Sequence, residues 1–258
     1  MTHPAQSPNP WPVLVAHRGY AQRYPENSLP ALQAAFAAGA DWAEFDIQLS
    51  ADGVPFLLHD ADLQRTAGNP GCALDWDWRR LATIEVNEAN RLGVRFQGVR
   101  IPRLQDVVAL LGDWPHKQVF VEIKLESLQR FGIDMVVKPV LEILQPVASR
   151  CVIISFDSNA VLRARELARA RIGWVIDGWS TKRRKEAERL QPEYLFCNYQ
   201  RLPRAGDLWP GPWQWVLYDV NSAQLVRTLA ARGAHLFETG NVEELLKDPT
   251  LPGASAVD

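Results

Sequence analysis

The sequence predicts an α/β fold, a TIM (β/α)8 barrel with a small inserted hairpin and loop region after the second strand. Three observations carry that prediction. Nine short apolar, β-branched runs recur along 258 residues, and helical patterns lie between most of them. One run follows its predecessor across a link too short for a parallel crossover. Setting it aside leaves eight parallel candidates, the count of a closed barrel.

In order, the runs are Val13 to His17, Trp42 to Leu49, Val54 to His59, Gln118 to Lys124, Arg150 to Phe156, Arg171 to Ile176, Tyr194 to Tyr199, Gln214 to Val220 and Ala234 to Phe237. Apolar residues three and four apart mark the buried faces of intervening helices: Leu29, Leu32, Phe36; Leu104, Val107, Val108, Leu111; Ile133, Val136, Val137, Val140, Leu144; Val161, Leu162, Leu167; Leu225, Leu229. Only "SADG" separates Leu49 from Val54. Such a link joins antiparallel strands, whereas a parallel pair needs about a dozen residues or more. From Asp60 to Val99 the chain mixes turns ("GNPGCALDWDW") with an extended entry to the next helix ("RFQGVRIPRL"), and reads as an excursion from the barrel. The expectation is one barrel domain over residues 1–258, with about 51–100 inserted within it.

Composition excludes several classes. The chain is 47% hydrophobic and 22% charged, as in ordinary globular proteins. A net charge of -2 gives no field that recruits nucleic acid or an anionic membrane, so any anion site is local. Cys72, Cys151 and Cys197 show neither CxxC spacing nor disulfide-scaffold density, and read as free thiols of a reducing compartment. The opening "MTHPAQSPNPWPVLV" lacks the pattern of a signal peptide, and no apolar run reaches the roughly 18 residues that span a bilayer. A cytoplasmic protein without a membrane anchor or nucleic-acid partner is expected; its oligomeric state is open. The tail "LPGASAVD" reads as frayed, and "STKRRKEAERL" as a solvated helix face. Of ten tryptophans, Trp11, Trp42, Trp76, Trp78 and Trp114 read as packing or surface anchors. Trp179, Tyr199 and Tyr218 follow or close later strands, where aromatics line a mouth or cap a core.

Polar residues collect at strand ends, where parallel barrels bind ligands. The first strand ends in His17 and Arg18, the hairpin in His59 and Asp60, the third barrel strand in Glu122 and Lys124. In "EFDIQ", Glu44, Asp46 and Gln48 share one strand face. Two carboxylates on a buried face repel and are poorly solvated unless a positive charge lies between them. A hard divalent cation, Mg2+ or Ca2+, supplies that charge, and Glu122 adds a third oxygen ligand. His17 and His59 suit acid and base roles, because imidazole titrates near neutrality. Arg18 and Lys124 suit phosphate oxygens. Taken singly, His59 beside Asp60 also fits a loop histidine, and Glu44 and Asp46 also fit ion pairs with helix arginines; convergence of several strand ends favours function. Asn27 or Ser28 fits a helix N-cap, with a site-shaping role as the alternative for Asn27. Glu26 is a further candidate near the metal.

The stretches "AHRGYAQRYPENS", "AEFDIQLSADGVPFLLHDADLQRTAG", "RIPRLQDVV" and "FVEIK", in that order, resemble the glycerophosphodiester phosphodiesterase family. The resemblance is strong over residues 13–125 and traceable to about 240 through "IISFD" and "YDVN". It implies a TIM barrel, one divalent metal, and hydrolysis of a small glycerophosphodiester to an alcohol and glycerol 3-phosphate. It makes His17 and His59 the acid-base pair, Glu44, Asp46 and Glu122 the metal ligands, and Arg18 and Lys124 phosphate contacts. Tyr218 and Asp219 stand where the family usually has Trp and Thr, and "LFETGNVEELL" where it usually offers Thr-Asp-Xaa-Pro; both departures bear on substrate preference. A lysophospholipase D-type lipid enzyme and a noncatalytic binding barrel are the competing expectations.

Overall fold

A computed structural model describes residues 12–251. Readings of residues 1–11, Trp11 among them, and of the tail beyond Leu251 lie outside the described residues. Eight strands run parallel: β1 (Val13–Ala16), β2 (Trp42–Leu49), β4 (Gln118–Ile123), β5 (Cys151–Ser155), β6 (Arg171–Ile176), β7 (Tyr194–Asn198), β8 (Gln214–Tyr218) and β9 (Leu236–Thr239). Strand β1 pairs with both β2 and β9, which closes the sheet into a TIM barrel. Strand β3 (Pro55–Leu57) pairs antiparallel with β2, as the short link requires.

Strand alternation sorts the core into two layers. Phe45, Ile47, Val121 and Ile153 face outward into the larger cluster that the helices cover. Val15, Trp42, Phe120, Val152, Tyr194 and Phe196 fill the barrel interior. There Phe120 stacks on Trp42 (centroids 4.5 Å apart) and meets Tyr194 and Phe196 edge-on at 5.0 and 4.9 Å. Glycine is required at Gly173 of β6, because a Cβ there would lie 2.7 Å from the Phe196 ring. The interior is therefore packed around Phe120 and Phe196.

Helices follow most strands, at Leu29–Ala37, Leu104–Asp113, Ile133–Leu144, Ser158–Ala168, Thr181–Leu190 and Ala223–Ala230. The basic run falls on the helix Thr181–Leu190, capped by Ser180, with Ala187 its one buried residue and the others exposed or half-buried. Between β7 and β8 there is a single 3-10 turn (Tyr199–Arg201) and no α-helix. Trp209, Trp213 and Trp215 are buried against the outer cluster there, and Trp179 stacks on Trp209 at 3.9 Å. The excursion after β3 has its own apolar cluster of Phe56, Leu58, Leu63, Leu74, Leu81 and Ile101. Cys72, Cys151 and Cys197 are unpaired. Among the described residues no helix is long and apolar enough to cross a membrane.

Strand ends differ from expectation in one place that matters. The last strand starts at Leu236 and runs on to Thr239, two residues beyond the expected end at Phe237. Its register against β1 (Val13 with Leu236, Ala16 with Thr239) fixes that extent. Glu238 consequently lies on a strand.

Candidate active site

Strand β1 stops at Ala16 and the chain turns at once, with Arg18 at φ 56° and Gly19 at φ 77°. A Cβ on Gly19 would lie 2.6 Å from the Ala31 carbonyl carbon, so no larger residue fits this turn. The turn directs the Arg18 backbone N–H to Glu44 Oε2 (3.0 Å). It also sets His17 between two carboxylates, with Nε2 3.8 Å from Glu44 Oε2 and Nδ1 3.8 Å from Asp219 Oδ1.

Glu44 and Asp46 on β2 and Glu122 on β4 come together: one carboxylate oxygen from each lies within 4.8 Å of the others. Lys124 Nζ sits beside them, 2.9 Å from Glu122 Oε1 and 3.3 Å from Asp46 Oδ1. Arg18 Nε is 3.3 Å from Asp46 Oδ2, and its Nη1 donates to Glu26 Oε1 at 3.0 Å. Beyond this, His59 follows β3 with its Nδ1 2.6 Å from Asp60 Oδ1. Gln48 donates from Nε2 to the His59 carbonyl (3.2 Å) and accepts from Ser127, so it anchors the hairpin end.

The residues before the first helix divide their labour. Ser28 is the N-cap, accepting from the Ala31 N–H. Asn27, at φ 53°, grips Asp46 from both sides: its Nδ2 donates to Asp46 Oδ2 (2.8 Å) and its Oδ1 accepts the Asp46 N–H (2.9 Å). Glu26 lies between Arg18 and Arg65 and is not one of the three clustered carboxylates.

Electrostatics separates these groups. Burial raises the pKa of Glu44, and the charges of Asp46, Glu238 and Glu122 raise it further. Burial also opposes the charge on Asp46, but Lys124 and Arg18 beside it hold the carboxyl well below its ordinary range. Burial raises Glu122, with Lys124 partly offsetting it. His17 is pushed down to about 3 by desolvation and then by Arg18, so its imidazole is neutral at physiological pH.

A cavity of about 240 Å3 opens above this floor, lined by His17, Arg18, His59, Glu122, Lys124 and Tyr218. Tyr218 lies 6.4 Å from the His17 ring, centroid to centroid. Trp179 and Tyr199 do not line it; both pack on the outer cluster. Two further acids share the wall: Asp219, marked in the sequence only as a departure from the family pattern, and Glu238, which the sequence did not mark. Glu238 is 3% exposed and its Oε1 has no hydrogen-bond partner. The alternation of β9 would have placed it inside, had the strand been extended by two residues.

A closed parallel barrel whose strand ends gather carboxylates, imidazoles and cations beside one cavity has the architecture of a TIM-barrel enzyme. The family follows from comparison with known proteins. The chain belongs to the glycerophosphoryl diester phosphodiesterase family, whose model matches residues 17–237. It is 30% identical over 192 residues to a glycerophosphodiester phosphodiesterase of Caldanaerobacter subterraneus subsp. tengcongensis, covering 71% of this chain and 76% of that one. The structure of an Oleispira antarctica phosphodiesterase in complex with the product sn-glycerol-3-phosphate matches with a TM-score of 0.79 at 21% identity, covering 91% of this chain and 95% of that one. A glycerophosphoryl diester phosphodiesterase from Silicibacter pomeroyi, so described provisionally, also matches at TM-score 0.79 and 20% identity, over 96% of each chain. At those identities the two structures show a common fold.

Proposed function

We propose that the protein hydrolyses small glycerophosphodiesters to glycerol 3-phosphate and an alcohol, with one divalent cation and two histidines. The observation that carries the reading is the meeting of Glu44, Asp46 and Glu122 within 4.8 Å, directly beside His17 and Lys124. Glu44 Oε1 is buried without a partner, as expected of a ligand atom awaiting a cation, and an all-oxygen donor set suits Mg2+ or Ca2+. Glu44, Asp46 and Glu122 are the residues to hold it. When bound, the ion supplies charge that polarises the phosphodiester and offsets negative charge building on its oxygens.

The chain's own groups do the rest. Arg18 presents a guanidinium fork and Lys124 an ammonium to the phosphate oxygens, which fixes the phosphorus between the imidazoles. Asp60 accepts a hydrogen bond from His59 Nδ1, which leaves Nε2 to face the substrate. Neutral His17, with no hydrogen bond to its nearest carboxylates, is free to exchange a proton with the other oxygen of the scissile bond. One imidazole takes the proton of the attacking oxygen and the other protonates the departing alkoxide. The attacking oxygen is water or the neighbouring glycerol 2-hydroxyl. The cavity of about 240 Å3 is smaller than the usual range for larger ligands, which favours a small diester over a lipid bearing an acyl chain.

The test is release of glycerol 3-phosphate from glycerophosphocholine and glycerophosphoethanolamine after EDTA treatment, with Mg2+ or Ca2+ added back. Release that returns with metal supports the reading. Undiminished release in excess EDTA contradicts the metal's part, and release only from lysophospholipid micelles moves the substrate to lipids.

A further inference from the structure

We propose that Arg65, supplied by the excursion after β3, is a positioning residue that couples His59 to Arg18. The inference rests on the roles given to those two residues above. Arg65 Nε donates to Asp60 Oδ2 at 2.6 Å, while Nη1 and Nη2 donate to Glu26 Oε2 and Oε1, both at 2.7 Å. Each of those carboxylates also holds a site residue. Asp60 Oδ1 meets His59 Nδ1 at 2.6 Å, and Glu26 Oε1 accepts from Arg18 Nη1 at 3.0 Å. The five side chains form an unbroken hydrogen-bonded chain, His59, Asp60, Arg65, Glu26, Arg18, from the end of β3 to the end of β1.

The chemistry of the link requires a guanidinium. Its N–H groups lie in one plane and grip two carboxylates at once, one of them bidentately; a lysine ammonium cannot hold that fork. Stability alone does not account for it. The Arg65 side chain is 44% exposed, and buried Glu26 keeps Arg18 as a partner at 3.0 Å when Arg65 is lost, so no buried charge is left unpaired. Nor is Arg65 needed to fasten the excursion to the loop after β1. Arg91 does that: it donates to the carbonyls of Gln22 and Tyr24 at 3.0 and 2.9 Å and pairs at 2.8 Å with Glu88, which accepts the Glu26 backbone N–H (2.7 Å) and holds no side chain of the site. What distinguishes Arg65 is that both its partners hold groups placed at the reacting phosphate.

The two arms predict separable effects. Loss of the Asp60 arm frees His59, which falls on kcat; loss of the Glu26 arm frees Arg18, which falls mainly on KM. The experiment measures kcat and KM for glycerophosphocholine in the metal-loaded parent, Arg65→Gln, Arg65→Lys and Arg91→Ala, and in Arg65→Gln combined with Asp60→Asn or with Glu26→Gln. We expect Arg65→Gln to lower kcat about tenfold and raise KM severalfold, and Arg65→Lys to recover only part of either. On the Asp60→Asn background Arg65→Gln changes only KM, and on the Glu26→Gln background only kcat. Arg91→Ala stays within twofold of the parent in both constants. The inference is overturned if Arg65→Gln stays within twofold of the parent, if its effects multiply unchanged on both backgrounds, or if Arg91→Ala costs as much. Should Arg65→Gln fail to fold, Arg65→Lys carries the same comparisons. A parent that releases no glycerol 3-phosphate sinks the functional reading and this inference with it, whereas an active parent with an unaffected Arg65→Gln sinks this inference alone.

Discussion

At the scale of single residues, the site is held by backbone that side chains rarely adopt. Arg18, Asn27 and Asp219 all sit at positive φ, between 53° and 66°, and each faces the cavity or a group beneath it. Strain of this kind is retained where the surroundings over-determine it. Asn27 illustrates what sequence alone leaves undecided. Its type fits an N-cap, and only the fold reveals that Ser28 takes the cap and frees Asn27 to clamp Asp46. Removing the clamp in Asn27→Ala should weaken Mg2+ or Ca2+ binding by about 10- to 100-fold in calorimetry, the usual effect of losing a partner that orients a ligand. His17 makes a prediction for pH. Its folded pKa, about 3, lies below the unfolded 6.5, so between those values the unfolded chain binds a proton that the folded chain refuses. Stability from this residue is therefore lost as pH falls from 6.5 towards 3. In EDTA, urea unfolding of the parent between pH 7.5 and pH 5 should show about 2 kcal/mol more loss than His17→Ala. Equal losses would contradict the buried, neutral imidazole.

At the scale of elements, period-2 alternation made most of the site legible. Glu44 and Asp46 on β2, and Glu122 and Lys124 at the end of β4, are found together because residues two apart share a face. The same rule hid Glu238, since β9 was expected to end at Phe237 and a residue beyond a strand has no predictable face. Its extra pairing comes from β1, at the other end of the chain (Val13 with Leu236, Ala16 with Thr239) and beyond any local signal. Gln48 shares the face of Glu44 and Asp46 yet serves the hairpin, its amide being taken up by Ser127 and the His59 carbonyl. The contacts that the excursion makes to Asp60 and Glu26 were equally out of reach, as a mixed stretch of turns gives no period from which to place Arg65 or Glu88. Within the barrel, Phe120 forms the aromatic floor with Trp42, Tyr194 and Phe196. Phe120→Ala should cost about 3–5 kcal/mol in chemical denaturation, as buried aromatic truncations do. A loss below 1 kcal/mol would mean that the floor is loosely packed.

At the scale of the whole molecule, the barrel supplies strand ends from around its rim and the excursion locks two of them. The short link after Leu49 and eight strand-like runs were enough to predict closure, whereas the tryptophan-filled connection between β7 and β8 leaves no period and is known only from the fold. Three carboxylates packed this closely disfavour the metal-free fold, so a divalent cation should stabilise it. At 100 times Kd, added Mg2+ or Ca2+ should contribute about 2.7 kcal/mol and raise Tm, and Asp46→Asn should lose most of that gain. The central claim, that imidazole at the end of β1 performs acid-base chemistry on a phosphodiester, is tested most directly by kcat/KM for glycerophosphocholine in folded, metal-saturated parent and His17→Ala. A fall of about a hundredfold or more is expected in the variant, with metal affinity within a few-fold of the parent's. Activity retained within tenfold would contradict it.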